Sequence, residues 1–283
     1  MTEPDLARRF QGLERLYGVE GARRIRDAHL VVIGIGGVGS WSVEALARSG
    51  VGCLTLIDLD HIAESNVNRQ IHAVTSTLGQ AKVLAMKARI LDINPACRVH
   101  VVEEFASPDN WPQLMGAGLP PVSAVIDACD QVKTKAALAA WSWALPCDLI
   151  CIGAAGGKRQ AHAVRIEDLS LVTHDPLLAQ VRYRLRKQFG APKAPANLNV
   201  ACVYSIESVK QADASCEMAT DGSLNCHGYG SAVSVTASFG MAAAGWVLNR
   251  LAEGPLLRTK KMRYNSSLRS VDKPLAKVND KVD

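Results

Sequence analysis

The chain has 283 residues, of which 48% are hydrophobic and 21% charged. That is the make-up of a folded globular protein, and it excludes a disordered chain, a collagen-like fibre and a coiled coil. The net charge of +5 belongs to residues 255–283, which hold eight Lys/Arg against three Asp. Residues 1–254 sum to zero, so the body is not a generally basic coat for nucleic acid. Eight cysteines are scattered without a CxxC pair, which argues against a zinc site. The opening MTEPDLARRFQG lacks the apolar stretch of a secretory signal, and a reducing cytosol is expected.

Residues 1–28 are polar and rich in arginine, and read as an N-terminal helical arm. A strand is predicted over 29–33, a glycine turn over 34–39, a helix over 40–49 and a second strand over 53–58. Leu84, Ala88 and Leu91 share a helical face within 80–93, and Asn94-Pro95 ends that helix. Strands follow over 99–102, 123–127 and 149–152, with a helix over 133–145. Strands without polar interruption, alternating with helices, predict an α/β fold with a mostly parallel sheet covered on both faces. Residues 29–157 therefore read as a Rossmann-like nucleotide-binding core. Residues 158–254 read as its smaller C-terminal sheet/helix extension, with a strand over 161–166 and a helix over 175–188. Residues 255–283 read as a basic, disordered tail. Residues 229–248 carry no charge. They are long enough for a buried core element or for membrane contact, and their Gly, Ala and Ser content favours the core.

Gly34-Ile35-Gly36-Gly37-Val38-Gly39-Ser40 satisfies GxGxxG after a strand and before a helix. Such a turn offers backbone N–H groups and a positive helix end to a phosphate. Asp58 ends the next strand, where a carboxylate meets a ribose hydroxyl. The motif alone fits NAD or ATP. The following residues favour the triphosphate: Asp58-Leu59-Asp60, Asn66-Val67-Asn68-Arg69-Gln70 and Gly79-Gln80-Ala81-Lys82. Arg69 and Lys82 offer fixed cations, and Asn66 or Asn68 a neutral donor, for charge that builds at a transferred phosphoryl group. Asp130, past the fourth strand, stands where ligands bind in such sheets and is suited to Mg²⁺.

These motifs together resemble the adenylating core of the ubiquitin-activating (E1-like) superfamily, which includes MoeB and ThiF. The resemblance spans roughly residues 9–250. It implies that Gly34, Gly36, Gly37, Gly39 and Ser40 line the ATP phosphates. By the same likeness Asp58 and Asp60 lie at the ribose side. Arg69 and Lys82, with Gln70 beside them, stabilise the adenylation transition state, and Asp130 binds Mg²⁺. In relatives a partner subunit lends an N-terminal arginine. Arg15 is the candidate here, with Arg9 second.

Further segments resemble the tRNA threonylcarbamoyladenosine dehydratase family: Arg9-Phe10 with Arg15-Leu16-Tyr17-Gly18, Asn68-Arg69-Gln70-Ile71-His72-Ala73, Gly153-Ala154-Ala155-Gly156-Gly157-Lys158, Asp175-Pro176-Leu177 and Cys226-His227-Gly228-Tyr229-Gly230. That likeness implies ATP-dependent dehydration of N6-threonylcarbamoyladenosine at tRNA position 37. The route is an acyl-adenylate that an internal nucleophile closes into a ring. It also implies a homodimer and a cysteine desulfurase or sulfur-acceptor partner. The alternative is adenylation of the C-terminal glycine of a ubiquitin-like sulfur carrier, as in MoeB or ThiF, whose usual CxxC pairs are missing here. Cys226 and Cys202 are candidate thiols, weighed against packing. His72 and His227 are weighed as acid–base groups against structural roles. Arg182, Arg184, Arg186 and Lys187, with Tyr183 among them, are the candidate RNA contacts. Lys158-Arg159 and 260–263 are further candidates.

Overall fold

The computed structural model describes residues 4–115, 118–145, 147–211 and 229–254. Seven strands form one sheet: β1 (His29–Ile33), β2 (Cys53–Ile57), β3 (Arg98–Val102), β4 (Ala124–Asp127), β5 (Asp148–Ile152), β6 (Val164–Asp168) and β7 (Ala201–Ser205). Their order is β3-β2-β1-β4-β5-β7-β6. Every pairing is parallel except β6 with β7, which is antiparallel. Six helices accompany them: α1 (Leu6–Asp27), α2 (Gly39–Arg48), α3 (Lys82–Ile93), α4 (Val132–Ser142), α5 (Pro176–Gln188) and α6 (Val233–Glu253).

The alternation of side chains along a strand divides the core in two. Leu30 and Val32 of β1 face a layer built from α2, α3, α6 and the end of α1. Val31 and Ile33 face the opposite layer, built from α4, α5 and Trp111. Covered on both faces, the central strands need apolar residues at nearly every position, which is why they were readable as continuous runs. The strand order reverses between β1 and β4. In sheets of this kind ligands bind at that point, outside the carboxyl ends of the strands.

Residues 229–248 belong mainly to α6. Eight of the helix's residues are buried, and among the described residues no helix is long and apolar enough to cross a membrane. Its small residues let it press closely on α2. A methyl group at Gly240 would lie 2.5 Å from the Val38 carbonyl and 2.8 Å from Trp41 Cβ. Ser42 Oγ donates to the Gly240 carbonyl at 3.1 Å. Membrane contact for this segment is thereby replaced by a packing role.

Other boundaries moved for local reasons. The helix expected from 175 begins at Pro176, because Asp175 is its N-cap and accepts from Leu178 N at 2.9 Å. The strand expected over 161–166 runs over 164–168, with a 3₁₀ turn at 161–163. Strand β7 had no sequence counterpart in the reading above. Val203 and Tyr204 favour a strand, but Ala201, Cys202 and Ser205 do not extend that signal, and the strand is seated by its slot between β5 and β6.

Candidate active site at the carboxyl edge of the sheet

The turn after β1 needs its glycines. Gly34 has φ +85°, and a Cβ there would sit 2.8 Å from the Ala128 carbonyl and 2.9 Å from Cys129 N. A Cβ on Gly39 would run into the Gly34 carbonyl. At Gly36, by contrast, a Cβ would meet nothing within 4 Å, so the middle of the turn faces open space. Ser40 is buried at the first turn of α2, and its hydroxyl has no hydrogen-bond partner among the described residues.

Asp58 follows β2 and holds the turn. Its Oδ2 accepts from Ile35 N at 2.6 Å and its Oδ1 from Asp60 N at 2.9 Å. Burial raises its pKa against the opposing pull of Lys82 and of the two backbone N–H groups. The ammonium of Lys82, the first residue of α3, lies 2.7 Å from Asp60 Oδ2. Lys82 is 4% exposed, and its position sets a cation at a helix N-terminus. Asp60 offsets that unfavourable placement.

Arg69 folds onto the turn from the other side. Its Cγ and Cδ lie 3.3 Å from where a Cβ of Gly37 would be. Its Nη1 donates to the Ser65 carbonyl at 2.5 Å and to Asn68 Oδ1 at 2.9 Å. The Arg69 carbonyl accepts from Trp41 Nε1 at 2.9 Å and from Thr236 Oγ1 at 3.4 Å, so α2 and α6 fix the backbone that carries the guanidinium. Asn66 is buried, and its Oδ1 accepts from Ala63 N at 3.1 Å. It shapes the loop, whereas Asn68 is exposed and also donates to the Ser231 carbonyl at 3.2 Å. Gln70 and His72 are buried, and neither side chain has a hydrogen-bond partner among the described residues.

The loop after β4 forms the second wall. Asp130 is exposed there, beside the Ala128–Cys129 segment that packs on Gly34. The support beneath it was not foreseen. Asp127 and Lys135 are both 0% exposed. Lys135 Nζ lies 3.2 Å from Asp127 Oδ1 and donates to the Asp127 carbonyl at 3.0 Å. Cys129 Sγ donates to the same carboxylate at 3.0 Å. Burial pushes the Lys135 pKa down, but Asp127 together with Cys129 and Cys151 outweighs it and the net shift is upward. The sequence signal was slight, because Lys135 follows Lys133 and Thr134 and reads as part of a polar first turn; once buried, the cation needs a buried anion. Trp41 was likewise missed.

The remaining candidates fall elsewhere. Arg9 donates to the Asp92 and Ile93 carbonyls at the end of α3, and Arg15 bonds Gln11 within α1. This half of α1 lies at the amino edge of the sheet, where Phe10 packs on Gly50, and neither arginine reaches the glycine turn of its own chain. Lys158 is buried and donates to the His174 carbonyl at 2.9 Å and to that of Glu207. It braces a loop and is not available to RNA. Arg182 and Arg186 do not present a free common face: Arg182 bonds the Leu169 and Val172 carbonyls at 2.9 and 2.8 Å, and Arg186 bonds that of Pro192 at 3.2 Å. Burial raises the thiol pKa of Cys129, Cys151 and Cys202 well above the ordinary value, which leaves them protonated. Cys226, His227 and the 260–263 cluster lie outside the described residues.

A glycine turn at the point where strand order reverses, flanked by an arginine, a lysine and three aspartates, defines a nucleotide-binding α/β protein with the cations suited to adenylyl transfer. The chain belongs to the ThiF family, whose model matches residues 7–280. It is 43% identical over 252 residues to the tRNA threonylcarbamoyladenosine dehydratase of Escherichia coli K12, covering 86% of this chain and 93% of that protein. It is 42% identical over 245 residues to the protein of the same name from Haemophilus influenzae, with the same coverage. The crystal structure of the Escherichia coli dehydratase in complex with ATP matches with a TM-score of 0.78 and 41% identity, over 89% of this chain and 98% of that one.

Proposed function

We propose that the protein catalyses the ATP-dependent dehydration, by cyclisation, of N6-threonylcarbamoyladenosine at position 37 of tRNA. The observation that carries this reading is the packing of Arg69 on Gly37 of the glycine turn, with Lys82 paired to Asp60 beside the Asp58 carboxylate that holds the turn, in a chain that covers 93% of the similarly built dehydratase.

The turn fits a triphosphate. Gly36 leaves room where a phosphate would approach, and Gly37 admits the Arg69 stem. The N-terminus of α2 adds its positive dipole. Asp58, anchored to Ile35 N, retains lone pairs for a ribose hydroxyl. When bound, ATP supplies the adenylyl group that turns the threonine carboxylate into an acyl-adenylate, with release of pyrophosphate, so that AMP is the leaving group of the next step. Arg69 and Lys82 stabilise the charge that grows as the carboxylate attacks the α-phosphorus. Lys82 is held for this by Asp60, and Arg69 by Asn68 and the Ser65 carbonyl. A nitrogen or the carbonyl oxygen of the carbamoyl group of the same modification then attacks the activated carbon, the bond to AMP breaks, and an N–H proton is lost. The net loss from the nucleoside is one water. The chain positions groups and neutralises charge, and needs no covalent link to substrate.

Mg²⁺ fits Asp130. Among the described residues no cluster of three His, Cys, Asp or Glu side chains suits a metal. One carboxylate completed by phosphates and water is the arrangement magnesium favours in nucleotide sites. Because α1 lies at the far edge, Arg15 or Arg9 serves the site of a second copy in a homodimer.

Mass spectrometry of nucleosides from modified tRNA, before and after incubation with protein, ATP and Mg²⁺, tests the reading. The threonylcarbamoyl nucleoside should lose one water mass only when ATP is present. No such loss, together with ATP–pyrophosphate exchange driven by a sulfur-carrier protein, would replace this reading with the carrier-activating one.

A further inference from the structure

We propose that the outer face of α5 holds the RNA, with Tyr183 as a stacking platform for a nucleobase and Arg184 and Lys187 as phosphate contacts. The proposal rests on the tRNA reading above and adds the surface on which that substrate sits.

Charge comes first. Helices α4 and α5 together carry six Lys/Arg and no Asp/Glu. Lys135 is neutralised by Asp127 in the core. Arg182 and Arg186 bond backbone carbonyls, which fixes them without cancelling their charge. Among the described residues none of the four cations of α5 is in an ion pair. The helix is therefore an unneutralised positive ridge, and its natural complement is a polyanion.

Shape narrows the partner. Gln180, Tyr183, Arg184, Lys187 and Gln188 follow the three- and four-residue spacing of one helical face. With Val132 they line a concavity of about 330 Å³. Tyr183 is 64% exposed, and the Lys187 ammonium sits 5.6 Å from its ring centre. Arg184 bonds only the neutral Gln188, at 3.3 Å. An exposed aromatic ring beside two cations without ion-pair partners among the described residues is the arrangement that takes a base and its neighbouring phosphates from single-stranded RNA. Val132 connects this surface to the chemistry, because it follows Asp130 by two residues at the start of α4. An anticodon loop laid along α5 thus reaches the carboxyl edge of the sheet, where its modified adenosine meets the glycine turn.

The test pairs binding with turnover. A labelled tRNA transcript is titrated against wild type, Arg184→Gln/Lys187→Gln, Tyr183→Ala and Tyr183→Phe over a range of salt. The double variant should bind more weakly, and its slope of log K against log salt should be shallower by about 1.5, since each phosphate contact contributes roughly 0.7–0.9. Tyr183→Ala should weaken binding by at least ~5-fold, and Tyr183→Phe should restore it. With threonylcarbamoylated tRNA the KM for RNA should rise in step while the KM for ATP holds. Arg182→Gln, which removes two carbonyl contacts, should lower Tm and show what a merely structural loss looks like. Wild-type affinity and salt slope in the double variant would overturn the α5 assignment. Lack of turnover by wild type would instead end the dehydratase reading, because the binding arm decides the surface independently.

Discussion

His72 gives the site region a measurable acid limit. The residue is 3% exposed, and neither ring nitrogen has a hydrogen-bond partner among the described residues. Burial first, then the charges of Lys82 and Arg89, lower its pKa from 6.5 to about 4. The imidazole is therefore neutral at physiological pH, and it is poorly placed to act as an acid there. Between these two values the unfolded chain binds a proton that the folded chain refuses. Stability from this group is complete above about pH 6.5 and is lost as pH falls towards 4. The full shift corresponds to ~3 kcal/mol, and about 2 kcal/mol of it should be gone at pH 5 relative to pH 7. Replacing His72 by leucine removes the proton site while filling a similar volume. Urea unfolding of wild type and His72→Leu at pH 7 and pH 5, at constant ionic strength, isolates the effect as a double difference. Asp58 and Asp175 have raised pKa values, while Glu44 and Asp168 have lowered ones, and all four cancel in that comparison. A leucine variant that loses as much stability on acidification as wild type would refute the reasoning.

Three further outcomes are expected. Lys82→Ala and Asp130→Ala should each lower turnover by at least ~10²-fold, as loss of a preorganised charge contact does. Because Asp130 is exposed, its alanine variant should keep a Tm near wild type in a thermal melt. Lys135→Met should lower stability by about 3–5 kcal/mol in chemical denaturation, since it strands a buried carboxylate. The double change Lys135→Met/Asp127→Asn should recover part of that loss, and no recovery would mean the pair is not coupled. Gly39→Ala should abolish ATP binding by calorimetry, because its methyl would displace the Gly34 carbonyl that shapes the turn.

The parallel half of the fold was legible because physics leaves little choice there. Strands buried on both faces must be apolar throughout, and a phosphate turn must be built from glycine. The motif spacing accordingly led to Gly37, Asp58 and Arg69 as neighbours, and the fold brings Asp58 and Arg69 onto the glycine turn. Strand β7 was opaque because its position is set by β5 and β6 more than by local propensity. The Asp127–Lys135 pair was opaque for a related reason: a charge in a sequence reads as exposed until its buried partner is known. The four cations of α5 read alike, yet coordinates separate two that bond carbonyls from two that face outward. Hydrogen bonds to distant main chain leave no trace in spacing.

Helix α6 braces the glycine turn from nearly the last described residues of the chain. It touches α2 through Gly240 and the Arg69 carbonyl through Thr236. During synthesis the glycine turn emerges some two hundred residues before the helix that steadies it. A nascent chain still tethered to the ribosome thus holds the motif without the brace. Premature termination before residue 233 would leave a polypeptide with every signature residue from Gly34 to Asp130 and a large apolar face uncovered, fit for proteolysis and not for catalysis.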